Sequence, residues 1–125
     1  MHSLEIRFIK KGTIIARELD ECHEILFVCE GRYDIGYEIN KKVSFRKQFG
    51  SSTVIGGFQL NFYKRFIFIY KAHTDMICKT ISRRNWNEIR NNHPMFFKIL
   101  KEKLLWHYIE QIYRPLTILK NKDVH

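Results

Sequence analysis

Three cysteines, Cys22, Cys29 and Cys78, are all that this chain carries. An odd number with no C-x-x-C pair indicates neither a disulfide framework nor a zinc site, and reduced intracellular thiols are the simplest account. Proline occurs twice and glycine six times, too seldom for a disordered or low-complexity chain. No apolar run approaches the ~18 residues that cross a membrane, and no signal peptide is present. Six histidines lack the H-x-x-x-H or H-E-x-x-H spacing of a metal site. Cys22 has only His23 beside it, which predicts an unreactive thiol. With no nucleophile–base–acid arrangement and no paired carboxylates, an enzyme is not expected.

Acidic residues are also short, 13 against 22 Lys and Arg, giving a net charge of +9. The cations are spread along the chain in pairs such as Lys10-Lys11, Lys64-Arg65 and Arg83-Arg84. They read as a solvated basic surface suited to acidic partners, including an anionic membrane face. What is plentiful is apolar: 45% of residues, with ten Phe. That is enough for the core of one domain, residues 1–125.

Short alternating or β-branched runs recur at 8–12 residue spacing. Expected strands cover 4–9, 13–16, 24–29, 33–39, 43–49, 54–55, 66–70 and 76–81, with turns at Lys10-Lys11-Gly12, Glu30-Gly31-Arg32 and Asn40-Lys41-Lys42. The period then changes. Ser82 caps a helix with Trp86 and Ile89 inward, Trp86 being read as core. Pro94 starts a second helix, whose stripe is Phe96, Phe97, Leu100, Leu104, Leu105, Tyr108, Ile109 and Ile112. Arg114-Pro115 is expected to end it. Residues 116–119, LTIL, read as a short strand, and 120–125 as frayed. The fold class is therefore mainly β: an antiparallel, jelly-roll-like β-roll (5–81), a hinge helix and a long lid helix (83–113), and a tail (114–125).

The centre of interest is VIGGFQLNFYKRFIFIYKA, residues 54–72. Gly56-Gly57 frees the backbone to turn, and Phe58-Gln59-Leu60 is about one helical turn. Unpaired N–H groups at such a helix start suit an anion. Yet no acid or hydroxyl side chain lies between Ile55 and Tyr63, and Lys64 and Arg65 are the only charges before Tyr70. The stretch is shaped like a ligand cradle and lacks most of the side chains a polar ligand needs.

Several pieces, in order, resemble the cyclic-nucleotide-binding domain family over roughly Glu5 to Tyr113. Phe8-Ile9-Lys10-Lys11-Gly12-Thr13-Ile14-Ile15 is similar to its opening strands. Glu24 to Gly31 is similar to its third strand and glycine turn. Ile55-Gly56 matches its Phe-Gly, and Tyr70-Lys71-Ala72 its exit strand. Ser82-Arg83, Trp86, Ile89 and Pro94 fit its hinge and lid. In that family a Glu directly after the glycine holds the ribose, and an Arg ten residues after the glycine pairs with the cyclic phosphate. The spacing holds here, but those positions are Gly57 and Phe66, followed by Ile67. Arg65 is one step early, which in a strand faces the other way unless a bulge turns it. The degenerate cassette is thus Gly56, Gly57, Phe58, Gln59, Leu60, Arg65, Phe66 and Ile67. The resemblance implies cAMP or cGMP as ligand, and the substitutions predict that ordinary binding is lost.

This pattern is most similar to the cyclic-nucleotide-binding homology domains of ether-à-go-go-type potassium channels, in which a segment after the lid folds back into the empty pocket. Leu116, Thr117 and Ile118 stand in the corresponding place; a plain tail packed on the barrel is the other reading. The resemblance implies a soluble regulatory domain on the cytoplasmic side of a membrane, excised from a cation channel, acting on the pore and linker of its parent chain within a homotetramer. The alternative is a nucleotide-sensing subunit or adaptor that binds weakly and controls a kinase or partner. No nucleic-acid partner is expected, since Lys120 to His125 is too short for a helix-turn-helix.

Overall fold

A computed structural model of the chain describes residues 4–124. Eight strands form two antiparallel sheets. The first has the order β1-β8-β3-β6 and the second β2-β7-β4-β5. The strands are β1 Glu5–Ile9, β2 Ile14–Ala16, β3 Glu24–Glu30, β4 Tyr33–Ile39, β5 Lys42–Phe49, β6 Val54–Ile55, β7 Ile69–Ala72 and β8 Met76–Ser82. This is the expected roll of antiparallel strands. Alternation works because successive side chains leave a strand on opposite faces. In β4, Tyr33, Ile35 and Tyr37 enter the core completely, while Asp34 and Glu38 do not.

Helix α1 (Gly57–Phe62) sits between β6 and β7, and α2 (Arg83–Asn92) and α3 (Pro94–Tyr108) follow the roll. Ser82 caps α2 as expected, its hydroxyl accepting from the Asn85 N–H at 3.2 Å. Such a cap contributes about 1 kcal/mol. Pro94 stands in the first turn of α3. Trp86 is buried in the core.

Two expected elements are different. The strand expected over 66–70 begins only at Ile69. Phe66 instead bonds sideways to the loop before β3: its N–H donates to Asp20 O at 3.0 Å and its carbonyl accepts from Leu19 N–H at 2.7 Å. Secondly, 116–119 is not a strand and Pro115 does not stop the helix. A π-helical turn, Ile109–Tyr113, leads straight into α4, Arg114–Val124. Proline lacks the N–H and crowds the preceding turn. Widening that turn changes the register just where Pro115 enters, so the chain continues helical. Residues 120–124, expected to fray, belong to α4; His125 lies outside the described residues.

Helix α4 is tied to the second sheet. Asp123 accepts from the Tyr37 hydroxyl of β4, and from Arg46 Nη1 of β5 at 3.0 Å. Lys120 lies over the Tyr37 ring, 5.9 Å from its centre. No helix among the described residues is long and apolar enough to cross a membrane.

Candidate functional site

The cassette begins where β6 ends. Gly56 has φ +88°, the left-handed conformation that glycine adopts freely. It caps α1, its carbonyl accepting from Leu60 N–H at 2.9 Å. Space explains the glycine as well. A Cβ on Gly56 would lie 2.9 Å from both Cys22 Sγ and Glu24 O, and 3.7 Å from the tip of Phe66. The Phe66 ring therefore lies against the turn that opens the cradle. It is buried, and meets Tyr70 edge-on at 5.3 Å.

Gly57, the expected ribose-carboxylate position, is closely packed too. A Cβ there would be 2.9 Å from Leu104 Cδ2 and 3.2 Å from Val54 Cγ1. Leu104 belongs to α3. The lid thus rests directly on the start of α1. One turn further along, Tyr108 stacks on Phe58 with ring centres 4.3 Å apart and planes at 7°. Offset aromatic pairs of this kind add about 1 kcal/mol beyond their burial.

The other side of α1 is held by α2. Trp86 Nε1 donates to Asn61 Oδ1 at 2.8 Å, and Asn61 Nδ2 donates to Gly57 O at 2.7 Å. Arg83 donates to Leu60 O at 3.0 Å and to Cys22 O at 3.3 Å, and lies over the Tyr63 ring. Hinge and lid together grip the short cassette helix through carbonyls, one buried amide and two aromatic rings.

The sequence-derived site residues separate on this frame. Gly56, Gly57, Gln59, Leu60 and Phe66 are buried, and Phe58 half-buried. Arg65 turns away: it donates to Leu19 O at 2.9 Å and pairs with Glu21 at 3.0 Å. Phe66 faces in and its neighbour faces out, so no bulge brings Arg65 round. Ile67 is exposed, on the rim of a cleft of about 600 Å³ between cassette and lid. Phe58, Tyr108, Tyr113, Lys64, Arg114 and Arg65 itself line that cleft as well. Of the expected self-occupying segment, Leu116 is completely buried, Thr117 half-buried and Ile118 exposed. A strand would have sent 116 and 118 the same way; the helix separates them.

Gln59 is buried, and its amide nitrogen has no partner at hydrogen-bond distance. It faces the hydroxyls of Tyr70 and Tyr108. Burial pushes the pKa of both phenols up, against a smaller downward pull from Gln59. Burial also raises Tyr33 to about 12 and Cys22 to about 11. The Cys22 thiol is thus unreactive, its Sγ donating to Glu24 O at 3.2 Å. In each case the folded pKa lies above the unfolded value, so the folded state keeps the proton longer. Their contribution to stability is complete below pH ~9 and is lost as pH rises towards 12. Denaturant midpoints should fall steeply through that window, while Tyr33, Tyr70 and Tyr108 ionise only with unfolding. Tyrosinate signal from Tyr33, Tyr70 and Tyr108 in the folded chain would contradict their burial.

Sequence reasoning missed Leu104 as the residue that closes the cradle, and the Trp86–Asn61–Gly57 chain. The stripe marked Leu104 as inward, without saying on what. Nothing in the sequence marks Asn61 as buried. Among the described residues, no three His, Cys, Asp or Glu are placed to share a metal ion.

Two sheets rolled together, a short helix inside the roll and a hinge and lid behind it define the cyclic-nucleotide-binding β-roll fold. Solved structures carry the same arrangement. A cyclic nucleotide-binding domain from Methylobacillus flagellatus is 15% identical, with a TM-score of 0.77 over 91% of this chain and 66% of that one. The regulatory subunit of a cAMP-independent protein kinase A from Trypanosoma cruzi, bound to guanosine, is 16% identical, with a TM-score of 0.70 over 96% of this chain and 41% of that one. The regulatory domain of Toxoplasma gondii protein kinase A, solved with cAMP, is 17% identical, with a TM-score of 0.64 over 69% of this chain and 33% of that one. At these identities the likeness establishes the fold. The chain spans less than half of either kinase regulatory chain. No family model matches the sequence, and no curated protein does.

Proposed function

We propose that this chain is a regulatory domain whose output is set by the position of its lid, with the nucleotide's place taken by its own side chains. The carrying observation is the contact of Leu104 with Gly57: a Cβ on Gly57 would lie 2.9 Å from Leu104 Cδ2. With the lid there, a carboxylate at this position would have to displace the Leu104 side chain. The second support is Phe66, buried where relatives place a guanidinium. Losing a charge-assisted phosphate pair and a ribose contact costs roughly 4 kcal/mol, about a thousandfold in affinity. Facing a phosphate with a phenyl ring adds a desolvation penalty.

In the first form of this reading the domain hangs beneath the pore of a cation channel, on the cytoplasmic side, within a homotetramer. Hinge and lid movement then biases the gate. Helix α4 packed on β4 and β5 matches the plain-tail reading, so this form rests on the +9 charge, which suits an anionic membrane face. A second form is a kinase-type regulatory subunit or adaptor. It is favoured by the open cleft of about 600 Å³ beside the cassette, and by the fold shared with a cAMP-independent subunit that takes guanosine.

Calorimetric titration with cAMP, cGMP and guanosine tests the reading. Neither cyclic nucleotide should give saturable heat below millimolar concentration. Saturation by guanosine would favour the second form. Micromolar binding of cAMP or cGMP would overturn the proposal.

A further inference from the structure

Each sheet edge is a row of unpaired N–H and C=O groups, and natural edges are blunted by shortness, irregularity or charge. Three of the four edges here follow that rule. β6 has two residues, β2 has three with a register shift, and β5 carries Lys42, Arg46 and Lys47. β1 does not. It is the outer strand of the first sheet, and among the described residues nothing pairs with its free side. Its register against β8 is unbroken over five residues, and it contains no Lys or Pro. Its apolar side chains are the most exposed of any strand: Ile6 is 63% and Phe8 74% accessible, and Leu4, just before it, 50%.

The sequence of this edge is complementary to itself. Leu4, Ile6 and Phe8 leave one face, and Glu5 and Arg7 the other. Placed antiparallel to a second copy about Ile6, Glu5 of each chain falls opposite Arg7 of the other. Ile6 meets Ile6, and Leu4 meets Phe8. Directly opposed residues in such a pair lie about 5 Å apart, close enough for both ion pairs to form. Arg7 already pairs with Glu24 of its own sheet, and a guanidinium has donors for a second carboxylate. Leu4 also opens a wholly apolar groove of about 270 Å³, with Phe27, Ile81, Trp86, Phe96 and Leu100 among its walls. Phe8 of the second copy, opposite Leu4, arrives at the mouth of that groove.

We propose that the chain forms a two-fold homodimer by β1–β1 pairing, joining the two first sheets into one eight-stranded sheet. This interface is independent of whether the cassette takes a ligand. A two-fold contact uses the same patch on both subunits, and the alternation of Glu5 with Arg7 satisfies that demand.

The test is sedimentation equilibrium of the chain with four variants. The wild type should run at twice 15.2 kDa. Phe8→Lys and Ile6→Lys, both at exposed positions, should be monomeric with unchanged circular dichroism. Glu5→Arg places Arg opposite Arg, and Arg7→Glu places Glu opposite Glu. Each alone should self-associate at least roughly tenfold more weakly. Mixed, the two restore both ion pairs and should form a heterodimer. A wild type that stays monomeric, a Phe8→Lys chain that still dimerises, or a mixture that does not associate would each overturn the proposal.

Discussion

Gly57→Glu, which places a carboxylate where the resemblance to nucleotide-binding domains expects one, is expected to destabilise this chain by about 3 kcal/mol. Overpacking a filled site costs about 1–3 kcal/mol, and an unpaired buried carboxylate adds more unless it escapes to water. The escape route is outward past Leu104. That side chain must give way, because Val54 Cγ1 closes the other side at 3.2 Å. The damage should therefore concentrate in the lid. Urea denaturation reads the loss, and amide exchange should quicken across α3 more than in β3 or β4. Gly57→Ala, with the contact but no charge, should change stability by less than about 1 kcal/mol, since the gain from replacing a helical glycine offsets the crowding of Leu104. A Gly57→Glu protein within about 0.5 kcal/mol of the wild type, the scatter of ordinary surface changes, would show that the lid does not press on α1.

Leu116→Ala should be nearly as costly, about 3 kcal/mol, whereas Ile118→Ala should change stability by less than about 0.5 kcal/mol. Leu116 is 0% accessible and Ile118 56%. The contrast is diagnostic because the two stand two residues apart. On a strand they would share a face and lose together; on a helix they point in nearly opposite directions. Equal losses at both positions would contradict α4 and reinstate the extended segment that the sequence favours.

That segment shows where sequence reading stops. Strands β1 and β4 are legible because their side chains alternate, β4 most clearly with Tyr33, Ile35 and Tyr37, and β2 and β3 as β-branched and apolar runs. The Ser82 cap and Pro94 start are legible because capping is local chemistry. Residues 115–119 mislead for the same reason. Pro115 is a local stop signal, and Thr117-Ile118 a local strand signal. The π-helical turn at 109–113 and the burial of Leu116 override both. Phe66 is a similar case: its apolar neighbours read as strand, but its backbone is claimed by Leu19 and Asp20, far away in sequence. At the site, the resemblance implies a Glu and an Arg at positions where this sequence carries Gly57 and Phe66. What fills their place was not legible, since Leu104 meets Gly57 only after lid and roll have packed. The polar chain from Trp86 through Asn61 to Gly57 O was equally hidden, each member having a bland local role.

The central claim is that Leu104 of the lid packs on Gly57 of the cassette. Its most direct measurement is the nuclear Overhauser effect between the Leu104 methyls and the Gly57 α-protons in methyl-labelled protein, recorded before and after millimolar cAMP. The account predicts a strong cross-peak in the free protein and the same peak, unshifted, with the nucleotide present. A cross-peak absent from the free protein, or lost and shifted at micromolar cAMP, would contradict it.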